Sequence, residues 1–401
     1  MVGDFSRYVG NYLCSGGILV ETFISPLQRL RDEMEAATSA CTFLDHAAIS
    51  PLPRRVRDAM VRYLDDRRVT FGFMDRDEEG IPARLRKTVA RLINATPEEI
   101  ALVQNTSHGL NLVAQSLPFR PGDNIIFCDM EFPSNVYPWM LLDRQKGVEA
   151  RCIPHDGGGL TVEALEAHAD RRTRAVAVSS VEFLTGFRTD LAAIGEWCRA
   201  HGAYFIVDGI QSLGAIPMDV RAYGVDFLAA GGPKWLMGPV GVGFLYCRRE
   251  LLEEMSPPMA GCISVVGWED WRDYNLTFLP DARRFDLGGP NLVGMTGLMA
   301  AIELLLETGI ENIHRHTLHL TDVLIADLQR RGYEVVSNLD PAHRSAIVSF
   351  AVPGDVRAAH ARLREAKVAV SLRESYIRVS PHGYNTEDEV LRVGEVLGNS
   401  F

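Results

Sequence analysis

Paired cysteines are missing from this sequence. Its seven cysteines, among 401 residues, are scattered without a CxxC pair and without the spacing of a metal site. We therefore expect no metal centre. Cys128, Cys198 and Cys247 lie in apolar or helical contexts, where cysteine is usually a small core residue. Reduced, structural thiols of this kind are typical of a cytoplasmic protein.

The sequence also has no stripe of basic residues and no long apolar run. Lys and Arg number 41 against 52 Asp and Glu, a formal net charge of −11, which disfavours nucleic acid as a partner. No segment offers the roughly 20 successive apolar residues that a membrane-spanning helix needs. The stretch before Pro26 contains GGILVETFI, but it lacks a basic leader and a clear cleavage site. We expect a cytoplasmic protein with neither a nucleic-acid nor a membrane partner.

Glycine-rich nucleotide-binding loops are absent as well. Gly238, Gly241 and Gly243 lie close together, but they follow a lysine and precede an apolar strand. Neither a GK[ST] sequence nor a GxGxxG that follows a strand is present, so these glycines do not indicate a dinucleotide-binding loop.

The most informative stretch of the chain is residues 204–243. Apolar runs at residues 204–207 and 225–230 predict two buried strands. Asp208 closes the first run and Lys234 follows the second, and buried charges are costly unless they are partnered. A carboxylate and an amine at one sheet edge suit an enzyme that holds pyridoxal 5'-phosphate (PLP). Lys234 would form a Schiff base with its aldehyde, and Asp208 would keep its pyridine nitrogen protonated.

Strands and helices alternate through the middle of the chain. This alternation predicts an α/β fold with a mostly parallel sheet, helices on both faces, and ligands beyond the carboxyl ends of the strands. A chain of 401 residues is long enough for about two domains. We predict a large cofactor-binding domain over residues 44–290 and a smaller α+β domain from residues 1–43 and 291–401.

The stretch DGIQSLGAIPMDVRAYGVDFLAAGGPKWLMGPVGVGFLY resembles the core of the class V aminotransferase family. This group of PLP enzymes includes cysteine desulfurases and isopenicillin N epimerase. Further segments resemble the family in the same order along the chain, from about residue 43 to the C-terminus: FLDHAAISP, LVQNTSHGLNLVAQSL, CDMEFPSNVYPW, RRFDLGGPN and IRVSPHGYNTEDE. The resemblance implies the type I fold of PLP-dependent transferases, PLP as cofactor, and a homodimer with shared active sites.

The resemblance also implies how the cofactor is held. Gln211 matches the residue that bonds the phenolic oxygen of PLP, and Phe132 matches a ring stacked on the cofactor. A helix N-terminus presents free N–H groups to a phosphate. There, Ser107 would supply a hydroxyl, while Thr106 and His108 would supply backbone donors. His108 stands where relatives commonly have glutamate.

Three further residues would meet the substrate according to the same resemblance. Arg378 matches the arginine that grips the substrate α-carboxylate, for which a planar guanidinium is suited because it binds both oxygens at once. Asp45 and His46 belong to a stretch that lies near the cofactor and substrate entrance in the family. Arg373 is a second candidate for the carboxylate, or a solvated partner of Glu374.

Several positions depart from the family pattern. Gly231, Gly232 and Pro233 stand where relatives usually carry a serine or threonine and then a histidine directly ahead of the lysine. Gly289 replaces a threonine, leaving only backbone donors for the PLP phosphate of the neighbouring subunit. The family asparagine that bonds the phenolic oxygen of PLP is missing. Either Glu182 or Phe183 occupies its position. These departures predict an unusual substrate or an altered proton route.

The reaction is less well determined than the cofactor. Desulfurases carry a nucleophilic cysteine before the substrate arginine, but residues 321–378 contain no cysteine, so this route would require Cys262 as a substitute. We favour aminotransferase-type chemistry on an amino acid or amino-acid-like metabolite, with Lys234 also shuttling the Cα proton. The alternatives are a C–S or other β-elimination lyase, an amino-acid epimerase, and a non-catalytic PLP-binding or scaffold protein.

Overall fold

The computed structural model describes residues 25–69 and 80–400. The GGILVETFI stretch and Cys14 lie outside these residues. The helices of the described residues are α1 (Pro26–Glu33), α2 (Glu35–Ala40), α3 (Arg54–Val69), α4 (Gly80–Ile93), α5 (Thr106–Ser116), α6 (Tyr137–Lys146), α7 (Val162–His168), α8 (Leu191–His201), α9 (Leu292–Thr308), α10 (Ile310–Arg330), α11 (Val356–Glu365) and α12 (Glu387–Leu397).

The strands of the described residues form three sheets, of which the largest has seven strands. The strands are β1 (Thr42–Phe43), β2 (Ile100–Val103), β3 (Asn124–Cys128), β4 (Glu149–Ile153), β5 (Thr173–Ser179), β6 (Tyr204–Asp208), β7 (Phe227–Gly231), β8 (Gly243–Cys247), β9 (Glu334–Val335), β10 (Val348–Ala351), β11 (Val368–Ala369), β12 (Ser371–Arg373) and β13 (Tyr376–Val379).

The seven-stranded sheet is mostly parallel, which confirms the predicted fold class. Its strand order is β2-β8-β7-β6-β5-β3-β4, and only β8 runs antiparallel to its neighbours, β2 and β7. The remaining pairs, from β7 across to β4, are parallel. Parallel strands need crossover connections, and α6, α7 and α8 supply those that join β3, β4, β5 and β6 in turn.

Helices cover both faces of this sheet because its strands are apolar on both sides. Along β6, Phe205 and Val207 join one buried cluster, whereas Ile206 between them joins another. This is the two-residue period of a strand. The first cluster includes residues of α4, α8 and α9, and the second includes residues of α5 and α6. The sheet is therefore enclosed, and only its strand ends are open to a ligand.

A smaller four-stranded antiparallel sheet lies in the C-terminal part of the chain. Its order is β12-β13-β10-β9, and helices α10, α11 and α12 contribute to the core beside it. Strand β1 pairs in parallel with β11, so the chain before the large sheet joins the C-terminal region. Helix α9 packs with α3 and α4. The domain boundary at residue 290 stays a prediction.

Within residues 25–69 and 80–400, no single helix is long and apolar enough to cross a bilayer. Helices α9 and α10 meet the criterion of length and composition only as a pair, and a bend of 77° separates them.

The two glycines ahead of Lys234 differ in the space around them. A Cβ atom at Gly232 would lie 3.1 Å from Leu298 Cδ1 and from the carbonyl oxygen of Pro239, and 3.3 Å from that of Val242. At Gly231 the nearest atoms would be 3.4 Å or more away, which is ordinary contact. Close packing therefore accounts for the glycine at position 232 but not for the one at 231.

We expect Gly232→Ala to lower the free energy of unfolding by about 1–3 kcal/mol, because the backbone around it must shift to make room. The matched variant Gly231→Ala should change it by less than about 1 kcal/mol. Urea denaturation of both variants measures this difference. Equal losses at the two positions would show that packing does not distinguish them.

Candidate active site

A pocket of about 300 Å³ lies at the carboxyl ends of β6 and β7. Asp208 ends β6, Lys234 follows β7 by three residues, and Arg378 projects from β13 of the smaller sheet. The structure thus brings the predicted carboxylate, amine and guanidinium into one cavity. Other lining residues are Ala47, Ala48, Asn105, Thr106, Ser107, Phe132, Ser134, Phe183, Ile210, Gln211, Gly231, Pro233 and Arg373.

Asp208 is a buried carboxylate with one oxygen unused. Its side chain is 1% exposed, and Oδ1 accepts a hydrogen bond of 2.9 Å from the N–H of Ile210. Oδ2 is buried and has no hydrogen-bond partner in the described structure. Burial raises the pKa of Asp208 to about 6, and the Ile210 N–H and the charge of Lys234 oppose this rise. A buried acceptor without a partner is unusual, and the protonated pyridine nitrogen of PLP would satisfy it.

Lys234 is held in an environment that disfavours its charge. Burial lowers its pKa to about 8, Asp208 opposes the shift, and the charges of Arg378 and Arg373 add to it. Its amino nitrogen lies 5.7 Å from the centroid of the Phe132 ring. A lysine with a lowered pKa is neutral in a useful fraction near neutral pH, so it can attack an aldehyde or accept a proton.

The start of α5 faces the same pocket, as a phosphate site requires. N–H groups in the first turn of a helix have no intrahelical partner, and Thr106 and Ser107 both line the cavity. The N–H of His108, however, donates 2.9 Å to Oδ1 of the N-capping Asn105. His108 is also not among the lining residues. The expectation that His108 provides a backbone donor is therefore corrected, because the cap already engages that donor.

Hydroxyl groups tie the helix start to its surroundings. The N–H of Gly231 donates 3.0 Å to Thr106 Oγ1, which fastens the end of β7 to α5. Ser107 Oγ donates 2.7 Å to Ser134 Oγ. Ser134 lines the pocket and was not identified from the sequence. It lies two residues after Phe132, in the loop predicted to hold the stacking ring, and that proximity is the signal that could have revealed it.

Phe132 reaches the pocket on a loop that Glu131 anchors. Glu131 accepts hydrogen bonds from the N–H of Ser179 at 2.5 Å, from Ser179 Oγ at 2.6 Å and from Asn135 Nδ2 at 3.0 Å. The Phe132 ring meets Phe183 edge to face, with centroids 5.2 Å apart. This buried anchor was not predicted, since a glutamate after a strand is usually solvent-exposed.

The structure decides which residue takes the place of the missing asparagine. Phe183 lines the pocket, whereas Glu182 is fully buried and is not a lining residue. Cys128 Sγ lies 3.6 Å from Glu182 Oε1, and Cys128, Glu131 and Glu182 form a cluster within 4.8 Å. Burial and the charge of Glu131 raise the pKa of Glu182 well above its usual value. Two carboxyl groups this close in an apolar interior do not both ionise.

Gln211 is oriented by two hydrogen bonds. Its Nε2 donates 3.0 Å to the carbonyl oxygen of Ala47, and its Oε1 accepts 2.8 Å from the indole N–H of Trp235. The carbonyl end is thus fixed by Trp235, and one amide hydrogen remains for a ligand. This geometry fits a donor to the phenolic oxygen of PLP.

His46 does not line the pocket, which corrects its expected contact with the substrate. The side chain is fully buried, with Nδ1 3.2 Å from the carbonyl oxygen of Ser380 and Nε2 3.1 Å from the hydroxyl of Tyr384. It packs with Trp235 and His382 beneath the cavity. Burial lowers its pKa well below the usual range, so it serves as a neutral core group.

Asp45 contacts the predicted substrate arginine rather than the cavity. Its carboxylate accepts 2.6 and 2.8 Å hydrogen bonds from Ser371 Oγ, and it lies 3.6 Å from Arg378 Nη2. Asp45 is not a lining residue, so its expected contact with the substrate is corrected to a positioning contact.

Gly289 is exposed and does not line this pocket either. Its contact with a neighbouring subunit stays a prediction.

Arg378 is buried yet keeps hydrogen-bonding capacity. It is 1% exposed, and Nη1 donates 2.6 Å to the carbonyl oxygen of Phe183. Its Nε is buried without a partner in the described structure. Burial lowers its pKa to about 10.

No cysteine is among the lining residues of this described cavity, and Cys262 is exposed, with Sγ 3.8 Å from the carbonyl oxygen of Leu287.

The chain is similar in sequence to known proteins. The sequence model of the family "Aminotransferase class-V" matches residues 42–393. A probable cysteine desulfurase of Methanothermobacter thermautotrophicus is 33% identical over 380 residues, which cover 88% of this chain and 93% of that protein. A cysteine desulfurase of Salmonella typhimurium is 34% identical over 320 residues, 77% of each chain.

Solved structures show the same fold. The cysteine desulfurase CsdA from Escherichia coli matches with a TM-score of 0.83 and 26% identity, over 94% of this chain and 98% of that one. The cystine C-S lyase C-DES in complex with cysteine persulfide matches with a TM-score of 0.84 over 91% of this chain and 99% of its own. At 24% identity, that likeness concerns the fold alone. From the family match and the desulfurase relatives together, this chain belongs to the aminotransferase class-V family of PLP-dependent enzymes.

Proposed function

We propose that this enzyme is a PLP-dependent lyase that cleaves the C–S bond of a sulfur-containing amino acid by β-elimination, without a protein persulfide. The observation that carries the proposal is a described pocket in which Lys234 and Arg378 are present and no cysteine is. The relatives at 33% and 34% identity, which are named cysteine desulfurases, support C–S chemistry. This reverses the order of the sequence-based alternatives, in which an aminotransferase came first.

The residues of the pocket have distinct tasks in this reaction. PLP, when bound, withdraws electrons from the Cα of an attached amino acid. Asp208 would hold the protonated ring nitrogen through Oδ2, its unpartnered oxygen. Arg378 grips the α-carboxylate, and Phe132 excludes water from one side of the cavity. Lys234 would remove the Cα proton, the C–H electron pair would form a Cα=Cβ bond, and the Cβ–S bond would break. The sulfur would leave as a thiolate, which needs no acid because thiolates are weak bases. Water would then hydrolyse the released unsaturated amine to a keto acid and ammonia.

Transamination is the second candidate, and the same pocket supports it. Lys234 is the one lining residue suited to move a proton, since Asp208 is committed to the ring nitrogen and the other charged lining residues are arginines. A single mobile base serves both elimination and transamination. Epimerisation through two opposed bases finds no second base among these lining residues.

Product analysis separates the two reactions. The purified enzyme is incubated with L-cystine, L-cysteine or L-alanine without a keto-acid acceptor, and the keto acid and ammonia formed are measured. We expect many equivalents of keto acid and ammonia per enzyme from a sulfur-containing substrate. No more than one equivalent, with turnover restored by an added keto acid, would establish transamination and overturn the lyase.

Two variants complete that experiment. Lys234→Ala should abolish the reaction, because it removes the base. Cys262→Ala should retain full activity, since the thiol lies outside the described pocket. Loss of activity in Cys262→Ala would instead indicate a persulfide route of the desulfurase kind.

The pKa of Lys234 predicts how PLP capture depends on pH. Because the pKa is lowered from 10.5 to about 8, the amine is mostly protonated below about pH 8 and mostly neutral, and so nucleophilic, above it. In cofactor-stripped protein, the rate of PLP incorporation should therefore rise with a midpoint near pH 8. Asp208→Asn should move the midpoint downward, because Asp208 stabilises the ammonium form. A midpoint above pH 10 would contradict the buried environment of Lys234.

We also infer that the enzyme acts as a homodimer. Support comes from the family resemblance and from exposed apolar side chains near Gly289 in sequence, including Trp271 at 83% and Tyr274 at 95% exposure. Such side chains favour an interface. Light scattering should give twice the chain mass of 44.4 kDa; a mass equal to one chain at micromolar concentration would refute the dimer.

A further inference from the structure

The pocket contains a second guanidinium that the proposed mechanism does not use. Arg373 ends β12 and Arg378 lies in β13, and the two strands form an antiparallel pair in which Ser371 is opposite Arg378. Paired residues share a face of a sheet, as do residues two apart on one strand. Arg373 and Arg378 are therefore diagonal neighbours on one face, on the order of 7 Å apart at Cβ. Both line the cavity.

Arg378 has a carboxylate within ion-pair distance, whereas Arg373 has none in residues 25–69 and 80–400. The Asp45 carboxylate lies 3.6 Å from Arg378 and is also bonded by Ser371. Arg373 makes no ion pair with any carboxylate in residues 25–69 and 80–400, and its hydrogen bond is a 3.4 Å contact from Nη1 to the carbonyl oxygen of Leu372. A half-buried guanidinium that faces a cavity without a counter-charge is an anion-binding group.

The remaining charges around the cavity do not neutralise Arg373. Lys234, Arg373 and Arg378 are its cations, and Asp208 and Asp45 are the carboxylates near them. Asp208 would hold the ring nitrogen of PLP. The charge of Arg373 opposes the burial that raises the pKa of Asp45, but the contacts of that carboxylate are with Ser371 and Arg378. The charge of Arg373 extends through the cavity, since it lowers the pKa of both Lys234 and Arg378.

The cofactor phosphate does not account for Arg373 either. The residues suited to the phosphate, Thr106 and Ser107, begin α5 beside the large sheet. Arg373 belongs to the hairpin of the smaller sheet, the same element that carries the carboxylate-gripping arginine. Its place in the structure is therefore at the substrate end of the cavity.

We propose that the substrate is an amino acid with a second carboxylate, in its side chain or leaving group, which Arg373 binds while Arg378 holds the α-carboxylate. This inference rests on the proposed function, because it assigns the substrate class of that same site. It makes Arg373 the residue that selects acidic over neutral amino acids. An L-cystine molecule, with a carboxylate at each end, belongs to this class.

Binding of acids that have no amino group tests the inference apart from the reaction. The holoenzyme is titrated calorimetrically with succinate and glutarate, and with butyrate and pentanoate, which match them in length and lack the second carboxylate. We expect at least one diacid to bind tenfold or more tightly than its monoacid. In Arg373→Gln this preference should vanish while monoacid affinity stays within about twofold, and Arg373→Lys should retain part of it.

A distant arginine provides the control for net charge. Arg57→Gln changes an exposed residue of α3, 69% exposed at its side chain, and should leave the preference for diacids intact. Equal affinity for diacids and monoacids in the unmodified enzyme would overturn the inference. So would an equal loss of both affinities in Arg373→Gln, because Arg373 would then share the α-carboxylate with Arg378.

The same panel distinguishes failure of this inference from failure of the proposed function. Rates of keto-acid release are compared between acidic and neutral amino acids in the unmodified enzyme and in Arg373→Gln. A diacid preference in binding without turnover of any amino acid would reject the lyase and leave the anion site standing. The anion site would be rejected, and the lyase left standing, if the unmodified enzyme turned over acidic and neutral amino acids at equal rates. The Arg373→Gln substitution would then lower both rates equally or leave both unchanged.

Discussion

The burial of one carboxylate and one amine is the constraint on which the rest of this structure depends. Asp208 is fully buried and Lys234 is half-buried, and loss of contact with water disfavours the charged form of each. Neither group is paired so closely that its charge is cancelled. Asp208 keeps an unused oxygen, and Lys234 keeps a lowered pKa. An arrangement that costs folding energy and leaves capacity for a ligand is expected at an active site.

The surrounding contacts hold these two groups in place. Thr106 bonds the end of β7 just ahead of Lys234, and Gln211 is clamped by Trp235, the residue directly after the lysine. Glu131 fixes the loop that carries the aromatic wall. Each contact joins a residue at a strand end to a different element, so the position of the amine depends on several parts of the chain. Such support from outside the reacting groups is what a well-positioned site requires.

The central features were predictable from the sequence because they follow from strand ends. Asp208 and Lys234 each terminate or follow an apolar run, and parallel strands bring such residues to one edge. The start of α5 was also predictable, but the hydrogen bond made there was not. The side-chain oxygen of Asn105 accepts a hydrogen bond from the N–H of His108. Propensity identifies a helix start, whereas the hydrogen-bond partner depends on a rotamer that only the folded structure reveals.

Other parts of the site depend on contacts between residues that lie far apart in sequence. His46 and Asp45 belong to a stretch near the family's active site, yet one is buried against Ser380 and the other holds Ser371. Both partners are more than 300 residues away along the chain. The choice between Glu182 and Phe183 could not be made either, because the segment after β5 is irregular and has no strand period to assign faces.

The most direct test of the central claim is the protonation state of the pyridine nitrogen in the bound cofactor. PLP labelled with nitrogen-15 at the ring is incorporated into the enzyme and into Asp208→Asn, and the nitrogen chemical shift is recorded near neutral pH. Since Asp208 presents an unpartnered carboxylate oxygen, we predict a protonated nitrogen in the enzyme and an unprotonated one in the variant. An unprotonated nitrogen in the unmodified enzyme would contradict the account.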